Sequence, residues 1–141
     1  MKLKFIFIFL SAVLSLSCFG AYAQTQEEDD NSKKIEEAIQ NTLEQLDRNL
    51  KLESWQVFYL DSIMTHDYTA LQAELKQLQS AKVSNSDLYY QIQDKWMDKM
   101  YYAFQAVLDE TQWNRYLKSG ASRDKKARDK RAAKRLKDSE K

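Results

Sequence analysis

The 141-residue chain has no proline, two glycines, one cysteine and one histidine. Each scarcity removes a class of structure or chemistry. Tight β-turns lean on glycine and proline, and beyond residue 23 only Gly120 remains, so a β-rich fold is disfavoured. The cysteine, Cys18, also falls in that first stretch. The rest of the chain therefore has no disulfide, thiol nucleophile or thiolate metal site. His66 by itself does not supply the two or three matched imidazoles of an ordinary histidine metal centre. Its neighbour Asp67 should leave the helix on another side, so His66 reads as a surface residue. The sequence has no Gly-rich phosphate loop, no HExxH pattern and no Ser/His/Asp order. Carboxylates such as Glu74, Asp94 and Asp98 recur on helices and read as solvated faces. No catalytic residue, metal or cofactor is expected.

The first residues carry an address. Lys2 and Lys4 precede an apolar run from Phe5 to Leu16, and Ala21-Tyr22-Ala23 closes the segment on a small-x-small pattern. That is the pattern of a secretory signal peptide, residues 1–23, cleaved between Ala23 and Gln24. The run is shorter than the roughly 20 residues a membrane span needs. A rival reading makes Cys18 the acylated cysteine of a lipoprotein, but no leucine stands three residues before it, and export with cleavage at Ala23 is the expectation. The location expected is the periplasm.

What remains is rich in Leu, Gln, Lys, Glu and Ala, all good helix formers, and the expected class is all-α. After a loose acidic leader at 24–31, Ser32 is a plausible cap for a first helix with Ile35, Ile39, Leu43, Leu46 and Leu50 on one face. A second helix begins near Glu53 or Ser54 and runs to about Ser80. Val57, Leu60, Met64, Tyr68, Leu71, Leu75 and Leu78 fall in a stripe about 80° wide at ~100° per residue, a coiled-coil-like seam. Ser84-Asn85-Ser86-Asp87 offers several caps for a third helix. That helix has two seams. One is Tyr89, Ile92, Trp96, Met100, Ala103 and Val107; the other is Tyr90, Met97, Tyr101, Phe104 and Leu108, roughly 100° away. A bare hairpin uses one seam per helix, so the second must cover another helix, a second subunit or a guest. Met97, Tyr101, Phe104 and Trp96 are thus the candidate client or dimer surface. A short fourth helix, Asp109 to Lys118, presents Trp113, Tyr116 and Leu117 and stops at Gly120. The expected architecture is an elongated helical hairpin with an extra N-terminal helix, a short fourth helix and a basic tail: a helical domain over 32–119, then 120–141.

Charge is segregated. From Gln24 to Leu117 there are 9 Lys+Arg against 17 Asp+Glu; from Lys118 to Lys141 there are 11 against 4. The tail (Arg123, Lys125, Lys126, Arg128, Lys130, Arg131, Lys134, Arg135) reads as a frayed, solitary or disordered helix. It is an interaction segment for an anionic membrane surface or a partner. Export argues against nucleic acid. Trp55, Tyr59, Trp96, Tyr101, Tyr102, Trp113 and Tyr116 can bind sugars or unfolded chains, or simply fill a thin core.

Leu52-Glu53-Ser54-Trp55-Gln56 opens the second helix, and Leu108-Asp109-Glu110-Thr111-Gln112 opens the fourth, 56 positions later. The leucine anchors the incoming chain, the acid sits where it caps free N–H groups, and the glutamine reaches back across. Two such starts let the ends of a hairpin brace each other. With Leu52, Gln56, Leu108 and Gln112 in place, the chain resembles the Spy/CpxP family, marked by a repeated Leu-Thr-x-x-Gln; Glu53 and Asp109 stand where that family has threonine. The resemblance covers most of 50–117. It implies a thin, curved periplasmic hairpin dimer acting as an ATP-independent chaperone or stress adaptor on unfolded or exported proteins. The alternative is an envelope structural or adaptor protein held by its basic tail.

Overall fold

The computed structural model describes residues 24–140. The expected signal segment, with Ala23 as its expected cleavage residue and with Cys18, lies outside the described residues. The described chain is all-α. Its helices are α1 (Gln24–Leu50), α2 (Ser54–Ser80), α3 (Ser86–Val107), α4 (Glu110–Tyr116) and α5 (Ser122–Ser139), with a wide π-type turn over Leu117–Ala121 before α5. No helix among the described residues is long and apolar enough to cross a membrane. The first helix begins at Gln24, not Ser32, so the acidic stretch expected to be a leader belongs to it.

Helices α2 and α3 form the central antiparallel hairpin; α1 lies along α2, and α5 returns along α3. The core is where the sequence stripes meet. Leu60 and Leu71 on α2 are fully shielded, and Met64 nearly so. Ile39, Leu43 and Leu50 of α1 pack with Leu60 and Met64, and with Met100, Phe104 and Leu108 from the α3 side. Truncating one such leucine costs about 2–5 kcal/mol in a packed interior.

With so little glycine, the turns draw on other residues. Lys51 and Lys82 both take the left-handed conformation, φ 54° each, at the ends of α1 and α2. Lys51 N–H donates to Asp47 O at 2.7 Å, and Leu52 N–H to the Asp47 carboxylate at 3.1 Å, closing the first turn. Asn85 is the residue that caps α3, accepting from Asp87 N–H at 3.0 Å. Gly120 sits at φ 121°, a region a β-carbon disfavours, and it redirects the chain into α5.

Candidate functional site

The repeated motif folds into a brace with near two-fold correspondence. Gln56 Nε2 donates to Gln112 Oε1 at 2.7 Å, and Gln112 Nε2 donates to Gln56 Oε1 at 2.9 Å. Each amide also reaches the residue before the other motif's leucine: Gln56 to Val107 O at 3.0 Å, Gln112 to Lys51 O at 3.4 Å. Each glutamine oxygen accepts from the N–H of its own cap residue, Glu53 at 2.9 Å and Asp109 at 3.0 Å. Asp109 completes its capping box by accepting from Gln112 N–H at 2.8 Å. Both glutamines are buried, Leu108 is buried and Leu52 packs on the core. The residues expected to cross-brace the hairpin do so, and they bind α1's end, α2, α3's end and α4 into one joint.

The second seam of α3 is largely used within the chain. Phe104 is 5 % exposed, in the core cluster, with Tyr116 of α4 at 5.6 Å; Met97 packs against the same cluster. Tyr101 meets Trp113 edge-on at 4.9 Å. This corrects the expectation of a client or dimer surface over Phe104 and Met97: both pack on the core cluster, Phe104 under Tyr116 of α4. The tail docks beside them, on the acids of α3. Arg131 grips Asp94 with a two-pronged pair, Nε to Oδ2 at 2.9 Å and Nη2 to Oδ1 at 2.5 Å, and Arg135 adds Nη2 to Oδ2 at 3.2 Å. Arg128 Nε donates to Asp98 Oδ1 at 2.6 Å and its guanidinium stands 5.8 Å from the Tyr101 ring centre. Lys125 pairs with Asp129 and stands over Tyr102 at 5.5 Å. The tail is therefore an ordered, docked helix, not a frayed or solitary one, and Asp94 and Asp98 are ion-pair partners, not solvated. Burial pushes the Asp94 carboxyl up, but Arg131 and Arg135 outweigh it and hold it below the usual range.

The signal for this docking was in the sequence. Arg128, Arg131 and Arg135 fall at i, i+3, i+7 on one face, while Lys126, Lys130, Lys134 and Lys137 fall on the opposite one. Arginine's fixed fork suits carboxylate pairing and lysine's mobile point charge does not demand it. Arg128 and Arg135 are shielded and Arg131 partly so; Arg123 and the outer lysines are exposed.

The aromatic residues divide. Trp113, Tyr116 and Tyr101 pack inward. Trp96 is half-buried, with Lys95 and Lys99 over its ring at 5.1 and 4.5 Å and His66 at 6.3 Å. His66 does turn toward Asp67, Nδ1 to Oδ1 2.7 Å, against the expectation from their adjacency; the buried carboxylate is shared with Lys99 at 3.1 Å. At the start of α2, in contrast, Trp55, Phe58 and Tyr59 stand in water at 49, 70 and 53 % exposure. Their rings meet edge to face, Trp55 to Tyr59 at 6.1 Å and Phe58 to Tyr59 at 5.9 Å. Trp55 Nε1 is pinned to Glu53 Oε2 at 2.7 Å. Phe58, the most exposed of the three, was missed by sequence reasoning because it lies off every seam; a phenylalanine outside the apolar stripe was itself the clue. A shallow groove between α1 and α2, lined by Asn31, Ile35, Gln40, Asp61, Thr65 and Thr69 among others, is mixed in character. Among the described residues no cluster of His, Cys, Asp and Glu could hold a metal ion. No family model, curated protein or solved structure matches the chain.

Proposed function

We propose that this is a non-catalytic exported helical protein, similar to the Spy/CpxP chaperones, that shields apolar segments of other exported proteins on the aromatic surface at the start of α2. The observation that carries the reading is the Trp55–Phe58–Tyr59 shelf: other large hydrophobics such as Tyr90, Tyr102 and Leu136 are also exposed, but here three aromatic rings stand exposed side by side in ring contact. Contiguous exposed apolar side chains mark interaction sites. Edge-to-face contacts and the Trp55–Glu53 bond hold the rings in place before a partner arrives, which lowers the ordering cost of binding. The shelf flanks Gln56 in the same first turns of α2, beside the glutamine brace. Apolar client side chains laid on it gain about 25 cal/mol per Å² removed from water, and no nucleotide is needed. The brace at Leu52, Gln56, Leu108 and Gln112 supports the family resemblance.

The test is suppression of light scattering from a slowly aggregating substrate by near-stoichiometric mature protein. Phe58→Ser with Tyr59→Ser should abolish suppression while leaving the melting temperature close to wild type. Wild-type inactivity on several substrates would sink the reading. Sedimentation equilibrium separates it from the homodimer expected of such a family. If the wild type is a dimer without client activity and the double variant a monomer, the shelf is a subunit interface instead.

A further inference from the structure

We propose that the outer face of α5 is a docking surface for anionic lipid, formed by Arg123, Lys126, Lys130, Lys134 and Lys137, while the arginine face of the same helix stays closed on α3. This does not rest on the client-binding reading. At ~100° per residue the five cations fall within about 80° of arc, and at 1.5 Å per residue they extend over about 20 Å. All five are exposed. Arg123 touches only its neighbour Asp124, at 3.3 Å, and the four lysines have no ion pair among the described residues. Of the nearby acids, Asp94 and Asp98 lie beneath the helix and Asp129 meets Lys125 on its flank; Asp138 and Glu140, exposed at its C-terminal end, leave two acids beside five cations.

Covering α3 would not require this pattern. Like charges at i, i+4, as at Lys126, Lys130 and Lys134, work against a helix, and a merely solvated face is best served by mixed signs. The tail segregates by face instead: Arg128, Arg131 and Arg135, with Lys125 beside them, turn toward α3, while Arg123 and the other four lysines turn outward. A single convex helix face with a row of mobile ammonium groups fits a flat layer of phosphates; it offers neither the groove nor the aromatic platforms that track a single nucleic-acid strand. Ala133, exposed about 20° past the Lys126 edge of the row, adds a small apolar contact. The acidic body does not cancel the attraction. Helix α5 is ~10 Å across, and the Debye length is about 8 Å at physiological ionic strength, so the body's charges act largely from behind the screening distance.

The experiment is co-sedimentation of the mature protein with phosphatidylcholine vesicles, with and without phosphatidylglycerol, at physiological salt. Wild type should partition to the anionic vesicles only. The K126Q/K130Q/K134Q/K137Q variant, with unchanged circular dichroism, should lose affinity on the order of several hundred-fold, about fivefold per lysine. Arg123→Gln alone should cost about fivefold by the same count. The proposal is overturned by equal binding to neutral vesicles, by retention in the lysine variant, by no wild-type binding, or by binding to duplex DNA but not to vesicles.

Discussion

At the base of the hairpin, two neutral carboxamides close on each other and on four backbone groups; along α3, three arginines close on Asp87, Asp94 and Asp98. Both joints hold polar groups out of water, and both fasten a late helix to the central hairpin. The paired amides carry no charge and are buried, so salt does not screen them and acid reaches them only through the capping carboxylates Glu53 and Asp109; they tie residues 51–56 to 107–112. The ionic joint is partly open to solvent, with Arg131 41 % exposed at its side chain, and so is open to screening and protonation. A buried neutral network makes a fixed joint; a charged seam at the surface makes one that conditions can undo.

Breaking the fixed joint should have the largest effect. Gln56→Ala leaves Val107 O, Glu53 N–H and the Gln112 amide without their partner, and unmet buried groups cost about 1–3 kcal/mol each, though not additively. Loss of about 3 kcal/mol is expected in urea unfolding, unchanged by added salt. Gln112→Ala should match it, as the near two-fold geometry requires; a large disparity would show the correspondence to be superficial.

Next comes the seam. Asp94→Ala unpairs Arg131 and Arg135 together, and removal of one side of a shielded ion pair is destabilising by several kcal/mol where it is fully buried. Here the arginines are partly solvated and α5 can detach by itself, so we expect about 2 kcal/mol, spent as local opening. Hydrogen exchange should accelerate over 122–139 while α2 and α3 keep their protection. Arg131→Lys, which loses the fork, should open the same segment to a smaller degree.

Acid sharpens the contrast without a mutation. Asp94 titrates below its ordinary value in the folded state, so its contribution is complete above the ordinary carboxylate pKa and fades as pH falls through the lower, folded value. Exchange in α5 should therefore rise below about pH 4, the ordinary carboxylate range, before the glutamine joint loosens. Simultaneous loss of both joints would contradict the distinction. The smallest effect belongs to a turn: Lys82→Gly relieves a left-handed lysine and should stabilise by about 0.5–1 kcal/mol, read as a small rise in Tm.

Much of this was legible in order of appearance. The seam from Leu60 to Leu75 announced α2 because burial on a helix recurs every three to four residues. The starts at Glu53 and Asp109 could be read because capping is local, settled within one turn of chain. The reach of Gln56 to Gln112 was foreseeable from the repeat, since two similar starts at the open end of one hairpin come near each other. Phe104 and Met97 were read as surplus because periodicity counts faces but does not say what covers them. The tail misled for a related reason: its alanines and single leucine make no wide stripe, so apolar pattern alone saw no docked face, and the arginine spacing went unread.

By itself, then, the sequence determined the class, the central helices with the capped starts at Glu53 and Asp109, the core stripes and the segregation of charge, all of which arise from interactions within a turn or two of chain. Only the tertiary structure decided that α5 lies on α3, that Asp94 and Asp98 are spent on arginines, and that Trp55, Phe58 and Tyr59 are left in water. Those outcomes depend on which of several suitable faces meet, and a face's partner is set by the packing of elements distant in sequence.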